Sequence, residues 1–171
     1  MWKDYPSNRR YSFIEKIILL KKIYVFFYDI MIVIKNSSSV EETIAIGKEL
    51  GTNSHNGDAI ALIGDLGTGK TLLSKGIALG LEIKEDITSP TFALMEIYEG
   101  KVPMYHFDLY RIEYDEEFDN LCFEEYWEGD GVSVIEWADR AGDRLPDKTI
   151  KISLEYLNET DRRISIEYPD N

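Results

Sequence analysis

The sequence predicts an α/β fold: a three-layer sandwich with a mixed, mainly parallel sheet, helices on both faces and an antiparallel hairpin at the C-terminus. Three observations lead there. The apolar run Ala59-Ile-Ala-Leu-Ile63 passes through a glycine-rich stretch into a helical pattern at 72–79. Two further apolar runs end on a carboxylate, 102–107 on Asp108 and 132–135 on Glu136. Open α/β sheets bind their ligands beyond such strand ends. Two alternating segments, 150–157 and 163–168, flank Asn158-Glu-Thr-Asp161 and read as a hairpin. A length of 171 residues with 44% apolar content fits one domain with a real core.

The elements follow in order. Ile32-Val-Ile34 reads as a short strand, and Asn36-Ser-Ser-Ser39 as a loop with candidate N-caps. Ser39 followed by Glu42 has the spacing of a capping box. Residues 40–50 then read as a helix with Ile44, Ile46 and Leu50 on its apolar face. Residues 51–57 are a turn-rich connection to the strand at 59–63. The helix after the glycine-rich stretch ends near Leu79, where Gly80 is placed to stop it. Ile87-Thr-Ser-Pro-Thr-Phe92 is a loop entering a strand at 93–98, Glu99-Gly-Lys101 a hairpin turn, and 102–107 the returning strand. Residues 114–127 are acidic and helical in spacing, and Val132-Ser-Val-Ile135 is a short buried strand. The chain carries no internal repeat, no low-complexity segment and no second glycine-rich loop of this kind.

Gly64-Asp-Leu-Gly-Thr-Gly-Lys70-Thr71 fits the phosphate-loop pattern G-x-x-x-x-G-K-[ST], in the strand-to-helix context that the pattern requires. The chemistry explains the residue types. Glycines let backbone N–H groups turn inward around phosphate oxygens, and the helix N-terminus adds partial positive charge. Lys70 can reach the outer phosphates, and the Thr71 hydroxyl can ligate Mg²⁺. The alternative is a glycine-rich turn with an exposed lysine. An enzyme of this type needs a carboxylate near Thr71 for the metal or its water shell. Asp108 and Glu136, each directly after a strand, are the candidates, and Glu136 resembles the acid that closes a Walker B strand. Thr88-Ser-Pro-Thr91 reads by spacing as a turn, and a threonine there could also sense a γ-phosphate, as switch loops do.

Composition narrows the function. Against 19 Lys and Arg stand 32 Asp and Glu, a net charge of −13. Direct salt-driven binding to nucleic acid needs a basic surface, so this composition disfavours it. The densest acidic stretch holds Asp115-Glu-Glu117, Asp119, Glu124-Glu125, Glu128 and Asp130. It reads as a solvated helix face, with a docking surface for a basic partner as the alternative. The single cysteine, Cys122, excludes an intramolecular disulfide and suits a reducing, cytoplasmic setting. It reads as a small core residue rather than a nucleophile. Two histidines and one cysteine cannot build a His/Cys zinc cage.

Four strings then occur in one order at close spacing: Gly64-Asp-Leu-Gly-Thr-Gly-Lys-Thr71, Thr88-Ser-Pro-Thr-Phe92, Tyr105-His-Phe-Asp-Leu-Tyr-Arg111 and Val134-Ile-Glu-Trp137. Together they resemble the bacterial threonylcarbamoyladenosine-biosynthesis ATPases of the TsaE family, P-loop NTPase-like proteins. The resemblance runs from about Met31 to about Tyr168 and includes Leu145-Pro146 and the strand pair after it. It implies an ATPase that works with a threonylcarbamoyl transferase and that enzyme's catalytically inert paralogue, which together modify the adenosine beside the anticodon. It also implies that ATP hydrolysis resets that complex, and that this chain meets tRNA only indirectly.

Position by position, the resemblance implies a nucleotide cradle made of Gly64, Asp65, Leu66, Gly67, Thr68, Gly69, Lys70 and Thr71, with Trp137 adjoining it. Lys70 would contact the β- and γ-phosphates. Thr71, Asp108 and Glu136 would serve Mg²⁺, Glu136 would also orient the attacking water, and Thr91 would be the switch-like threonine. ATP and Mg²⁺ are the implied cofactors. Trp137 can equally be a packed aromatic. Residues 39–43, before the phosphate-loop strand, are the candidate wall for the adenine base. The chain departs from the family where Ala138-Asp139 replaces a common Pro-Glu and where Leu72 replaces a common second threonine. The first departure puts the local loop shape in question. Neither removes a group the phosphate chemistry needs.

Two other function classes stand beside this one. A small-molecule kinase would need an acceptor lid rich in Arg and Lys. Only Arg111, Arg140, Arg144, Arg162 and Arg163 follow Arg10, and no lid-like insertion is visible. A nucleotide-gated interaction module would show little turnover of its own.

Residues 1–30 differ from the rest. They carry Lys3, Arg9, Arg10, Lys16, Lys21 and Lys22 against Asp4, Glu15 and Asp29. Lys21-Lys22 and Asp29 interrupt the apolar stretch 17–34, which disfavours a membrane span, and no clean signal-peptide centre is present. The expectation is that translation begins at Met31 and that residues 1–30 are an upstream reading of the gene. An added helix or a membrane-touching tail is the alternative. A chain of residues 31–171 is therefore expected to fold, bind ATP and hydrolyse it as the full chain does. It should have an unchanged Tm and better solubility, because Tyr24, Phe26, Phe27 and Tyr28 favour self-association. Thermal melts and turnover of the two chains check this, and a large fall in Tm on truncation would count against it.

Overall fold

In the computed structural model, the described residues are 31–119, 121–127 and 129–169. The expectations for residues 1–30 lie outside them. Seven strands form one sheet: β1 (Met31–Ser37), β2 (Ala59–Ile63), β3 (Met95–Tyr98), β4 (Met104–Asp108), β5 (Val132–Glu136), β6 (Ile150–Tyr156) and β7 (Arg162–Tyr168). Their order is β1-β7-β6-β2-β5-β4-β3. The central strands β6, β2, β5 and β4 run parallel, and β1, β7 and β3 complete the edges in antiparallel pairs. This is the predicted α/β sandwich with its C-terminal hairpin, β6–β7.

The two sheet faces carry two cores. Ile60 and Leu62 of β2, Val132 and Val134 of β5, and Ile152 and Leu154 of β6 face Leu73 and Ile77 of helix α2 (Lys70–Gly80). On the other face, Ala61, Phe107 and Ile135 meet Phe118, Phe123 and Trp127. Phe118 comes from a short helix, α3 (Asp115–Asp119), Trp127 from a second, α4 (Glu124–Trp127), and Phe123 from the turn just before α4. The expected single helix over 114–127 is thus broken. Phe118 and Phe123 stand five apart and do not share one helical stripe. A turn with Cys122 at φ +50° lets both rings reach the core, with Phe107 and Phe123 in edge contact at 5.1 Å. Cys122, expected in the core, is exposed instead, because the aromatics on either side of it fill that volume. Asp119 and Glu124 pair with Arg144 at 2.9 and 3.4 Å on the outer side of this layer. Among the described residues no helix is long and apolar enough to cross a membrane.

Helix α1 (Val40–Asn53) starts where the capping box predicts. Ser39 Oγ accepts from the Glu42 N–H at 3.2 Å. The glutamate, however, reaches back to the N–H of Ser38 at 2.7 Å rather than to that of Ser39. The helix continues into the expected turn at 51–57, because Gly51 belongs to its contact face. That face is Thr43, Gly47, Leu50 and Gly51. The Ile44 and Ile46 expected there lie only partly buried. The reason is the closeness of α1 to α2. A Cβ on Gly47 would sit 2.3 Å from the Leu73 carbonyl oxygen, and one on Gly51 would sit 2.1 Å from that of Ile77. From the opposite helix, a Cβ on Gly76 would lie 2.3 Å from the Ile44 carbonyl oxygen. Glycine is the only residue that lets two backbones approach this far.

Three smaller differences share one cause, local backbone chemistry. Strand β3 begins at Met95 rather than at residue 93, since Leu94 takes φ +66° and its N–H closes a turn onto the Pro90 carbonyl at 2.7 Å. Strand β4 begins at Met104, after Pro103, which has no N–H to offer the ladder. The β3–β4 connection is longer than the expected turn because Lys101 N–H bonds outward to the Leu81 carbonyl at 3.0 Å.

The helix crossing generates a prediction. Gly51→Ala should destabilise the fold by about 1–3 kcal/mol or more, the usual cost of overpacking a rigid contact. That corresponds to a Tm several degrees lower, and thermal unfolding followed by circular dichroism measures it.

Candidate functional site

The site lies beyond the carboxyl ends of β2, β5 and β4, where an open α/β sheet places its ligands. Strand β2 ends at Ile63, and the chain turns through Gly64–Gly69 into α2. Gly64 takes φ +152°, and a Cβ there would lie 2.5 Å from the Leu154 carbonyl oxygen. Gly69 takes φ +105° as the N-cap of α2, with no side-chain cap. The first N–H groups of α2 are therefore left for something other than the protein's own cap.

Lys70 is the first residue of α2 and is buried. Its ammonium donates to the carbonyl oxygens of Gly64 at 2.6 Å and Asp65 at 2.9 Å, and it lies 3.7 Å from the centre of the Trp137 ring. Burial pushes its pKa below the ordinary lysine value, opposed by the charges of Glu136, Asp108, Asp139 and Asp65. Trp137 itself has φ +57°, a left-handed conformation directly after β5. That costs a non-glycine residue energy, and it sets the indole under the ammonium. Ala138-Asp139, the family departure, opens a 3₁₀ segment over Ala138–Arg144.

Glu136 ends β5 and is buried. Its Oε2 accepts from Thr71 Oγ1 at 2.9 Å, and its Oε1 accepts from Ser74 Oγ at 3.0 Å. His106 Nε2 lies 2.9 Å from the same Oε1. With Nε2–H as the donor, this network takes one charge and supplies it with three hydrogen bonds, which is what keeps a buried carboxylate affordable in free energy. His106 Nδ1 has no hydrogen-bond partner among the described residues. Asp108, also buried, is the register partner of Glu136 on the neighbouring parallel strand. Its Oδ2 accepts from Thr91 Oγ1 at 2.7 Å and from Ser89 Oγ. Its Oδ1 accepts from the Tyr110 N–H at 2.9 Å. The loop over residues 88–92 is thereby tied to β4 through one carboxylate.

These groups surround a cleft of about 570 Å³. Of the residues predicted from sequence, Leu66, Gly67, Gly69, Lys70, Thr71, Thr91, Asp108, Glu136 and Trp137 line it. Gly64, Asp65 and Thr68 do not. The Gly64 and Asp65 carbonyls serve Lys70, and the Thr68 hydroxyl turns back onto the Asp65 carbonyl at 2.9 Å. A second recess, about 240 Å³, adjoins the loop at Gly67–Gly69 and is walled by Ser39, Val40, Thr43, Thr160 and Arg162. Ser39, Val40 and Thr43 of the segment 39–43 thus border the loop. Leu72, the second departure from the family, lines both spaces.

Sequence reasoning missed Ser74, Ser89 and the role of His106. Ser74 stands three residues after Thr71, on the same side of α2, and that spacing was a usable signal. His106 shares a strand face with Asp108, two residues on. Among the described residues no three His, Cys, Asp or Glu side chains form a metal cage by themselves.

A family profile described as threonylcarbamoyl adenosine biosynthesis protein TsaE matches residues 37–164. The chain belongs to the TsaE family. The tRNA threonylcarbamoyladenosine biosynthesis protein TsaE of Treponema pallidum is 42% identical over 130 residues, spanning 76% of this chain and 96% of that protein. The TsaE of Bacillus subtilis is 40% identical over 126 residues, 73% of this chain and 78% of the relative. The TsaE of Nostoc sp. is 44% identical over 131 residues, 74% and 80% of the two chains. The crystal structure of Bacillus subtilis YdiB superposes with a TM-score of 0.73 at 31% identity, covering 83% of this chain and 88% of that one. The TsaE match begins at Ser37, the last residue of β1, and ends inside β7. It therefore encloses every residue of the cleft.

Proposed function

We propose that this TsaE protein binds ATP with Mg²⁺ in the cleft, hydrolyses it, and serves tRNA threonylcarbamoyladenosine biosynthesis by acting on the transferase complex rather than on tRNA. One observation carries the reading most. Two carboxylates at the ends of adjacent parallel strands, Asp108 and Glu136, share a cleft with the loop that Lys70 and Thr71 close. That is the donor set phosphoryl chemistry requires.

In this reading the glycine-rich loop and the start of α2 receive the β- and γ-phosphates. Lys70 leaves the two loop carbonyls for phosphate oxygens. The residues present fit Mg²⁺: Thr71, Asp108 and Glu136 offer only hard oxygen donors, and Mg²⁺ commonly takes one or two carboxylates with water and phosphate as the remainder. When bound, it neutralises charge on the transferring phosphoryl group. Glu136 orients a water for attack on the γ-phosphorus, forming that P–O bond as the bond to the ADP oxygen breaks. Thr91, held by Asp108, reports the presence of the γ-phosphate to the loop over 88–92. The base occupies the recess beside residues 39–43.

The net charge of −13 supports a protein partner in place of tRNA itself. The partners are the threonylcarbamoyl transferase and its inert paralogue, in the cytoplasm. Turnover measured alone and with the transferase complex tests this part: a strong rise with partners supports it, and labelled phosphate on an acceptor molecule instead of free phosphate would indicate a kinase.

Three variants test the site. Lys70→Ala should nearly abolish hydrolysis while the fold persists, because it removes the fixed cation on the outer phosphates. Wild-type turnover in that protein would remove the phosphate-loop reading. Asp108→Asn and Glu136→Gln should each cut Mg²⁺-dependent turnover by roughly a hundredfold or more, if each contributes the several kcal/mol typical of metal-linked charge stabilisation. Glu136→Gln should spare ATP binding better. A Mg²⁺ titration of turnover checks both, and normal rates in either would make that carboxylate a mere strand end.

A further inference from the structure

The end of β6 runs beside the phosphate loop and touches it from ninety residues away in sequence. The Tyr156 hydroxyl donates to the carbonyl oxygen of Leu66 at 3.1 Å. The same hydroxyl would lie 2.6 Å from a Cβ on Gly67, which takes φ +78°. The strand–loop–helix unit that makes a phosphate loop does not itself contain such a contact.

We infer that Tyr156 is a positioning residue of the phosphate loop: by holding the Leu66 carbonyl oxygen it sets the plane of the Leu66–Gly67 peptide and aims the Gly67 N–H. A trans peptide is planar, so its N–H points opposite to its C=O. A carbonyl fixed on Tyr156 turns the Gly67 N–H away from that side chain. Gly67 lines both the cleft and the adjoining recess, so the orientation of that peptide bears on both spaces. The short approach to Gly67 also means that no side chain can occupy the place the hydroxyl takes.

Arg162 keeps the tyrosine in position. The two residues are partners in the β6–β7 register, and the guanidinium lies 4.3 Å from the ring centre. Its Nη1 also reaches the carbonyls of Glu159 and Asp161 at 3.3 and 3.2 Å. The hairpin turn, the arginine, the ring and the loop peptide form one connected series. Tyr156 remains 47% exposed, so the hydroxyl can be removed without opening the core.

The inference rests on the nucleotide reading of the cleft. Tyr156→Phe keeps the ring and its stacked guanidinium and deletes only the donor. The readouts are steady-state hydrolysis of Mg·ATP and calorimetric titration with Mg·ADP. KM for ATP and Kd for ADP should rise about threefold to tenfold, the effect of one net hydrogen bond. The value of kcat should change far less, and Tm should fall by no more than a few degrees. Arg162→Met, which keeps the hydroxyl and strips the stacked cation, should move KM the same way by less. Wild-type KM and Kd in Tyr156→Phe overturn the inference. A fall of kcat and Tm together with constant KM also overturns it, since that marks a purely structural role. Wild-type constants in Tyr156→Phe beside an inactive Lys70→Ala remove this inference alone; a wild-type protein that binds neither nucleotide removes the nucleotide reading with it.

Discussion

The buried carboxylate of Glu136 is the point on which the rest of the arrangement depends. Burying a charge is costly unless hydrogen bonds replace its water. Here the replacements come from two layers: Thr71 and Ser74 from α2, and His106 from β4. Meeting that demand fixes the first turn of α2 against the end of β5. It also sets the neighbouring strand, because His106 can reach Glu136 only if β4 pairs with β5 in the observed register, Asp108 beside Glu136. The same register then delivers Asp108 to the cleft. Sheet topology, helix placement and site geometry are thus consequences of satisfying one group.

The α1–α2 crossing extends this logic outward. With α2 held by Glu136, four glycines at Gly47, Gly51, Gly76 and Gly80 bring α1 to backbone contact with it. The N-terminus of α1 then lies beside the glycine-rich loop, where Thr43 approaches Gly69 with its methyl group 3.8 Å from a Cβ built there. The second recess exists because of this closeness. An ordinary helix pair sits 8–10 Å apart, and side chains at the glycine positions would push residues 39–43 away from the loop.

Much of this was legible in the sequence, for identifiable reasons. The glycine-rich loop shows as a G-x-x-x-x-G-K-[ST] string between a strand and a helix, and the strands that end on Asp108 and Glu136 show as apolar runs closed by a carboxylate. The β6–β7 hairpin shows as alternation, since Lys151, Glu155 and Arg163 on its outer face remain exposed. What was not legible depends on contacts between distant segments. Ile46 stands one helical turn before Leu50, and Ile44 points elsewhere, yet the glycine stripe wins because backbone proximity, not apolar area, decides that interface. Cys122 looks like a core residue in isolation, but the break between α3 and α4 gives its place to Phe118 and Phe123. Ser89 and His106 carry no local pattern that separates a ligand of a buried carboxylate from an ordinary polar residue, and Ser74 shows only a helical spacing from Thr71.

The charge balance of the cleft gives a last constraint on its chemistry. Lys70 is the cation at its centre, and four carboxylates bear on it: Glu136, Asp108, Asp139 and Asp65. A bare polyphosphate entering such a space would add negative charge to an already negative site. The N-terminus of α2 offsets about half an elementary charge, which is too little. On the proposed reading, anion and divalent cation must therefore arrive together. On that reading the carboxylates that would repel the nucleotide alone would favour its metal complex, and the acidity of the cleft would select Mg·ATP over ATP. The same electrostatics explain why Lys70 rests against the π face of Trp137 and two carbonyl oxygens: these hold a cation by dipole and quadrupole, with no net charge to be displaced when a phosphate takes their place.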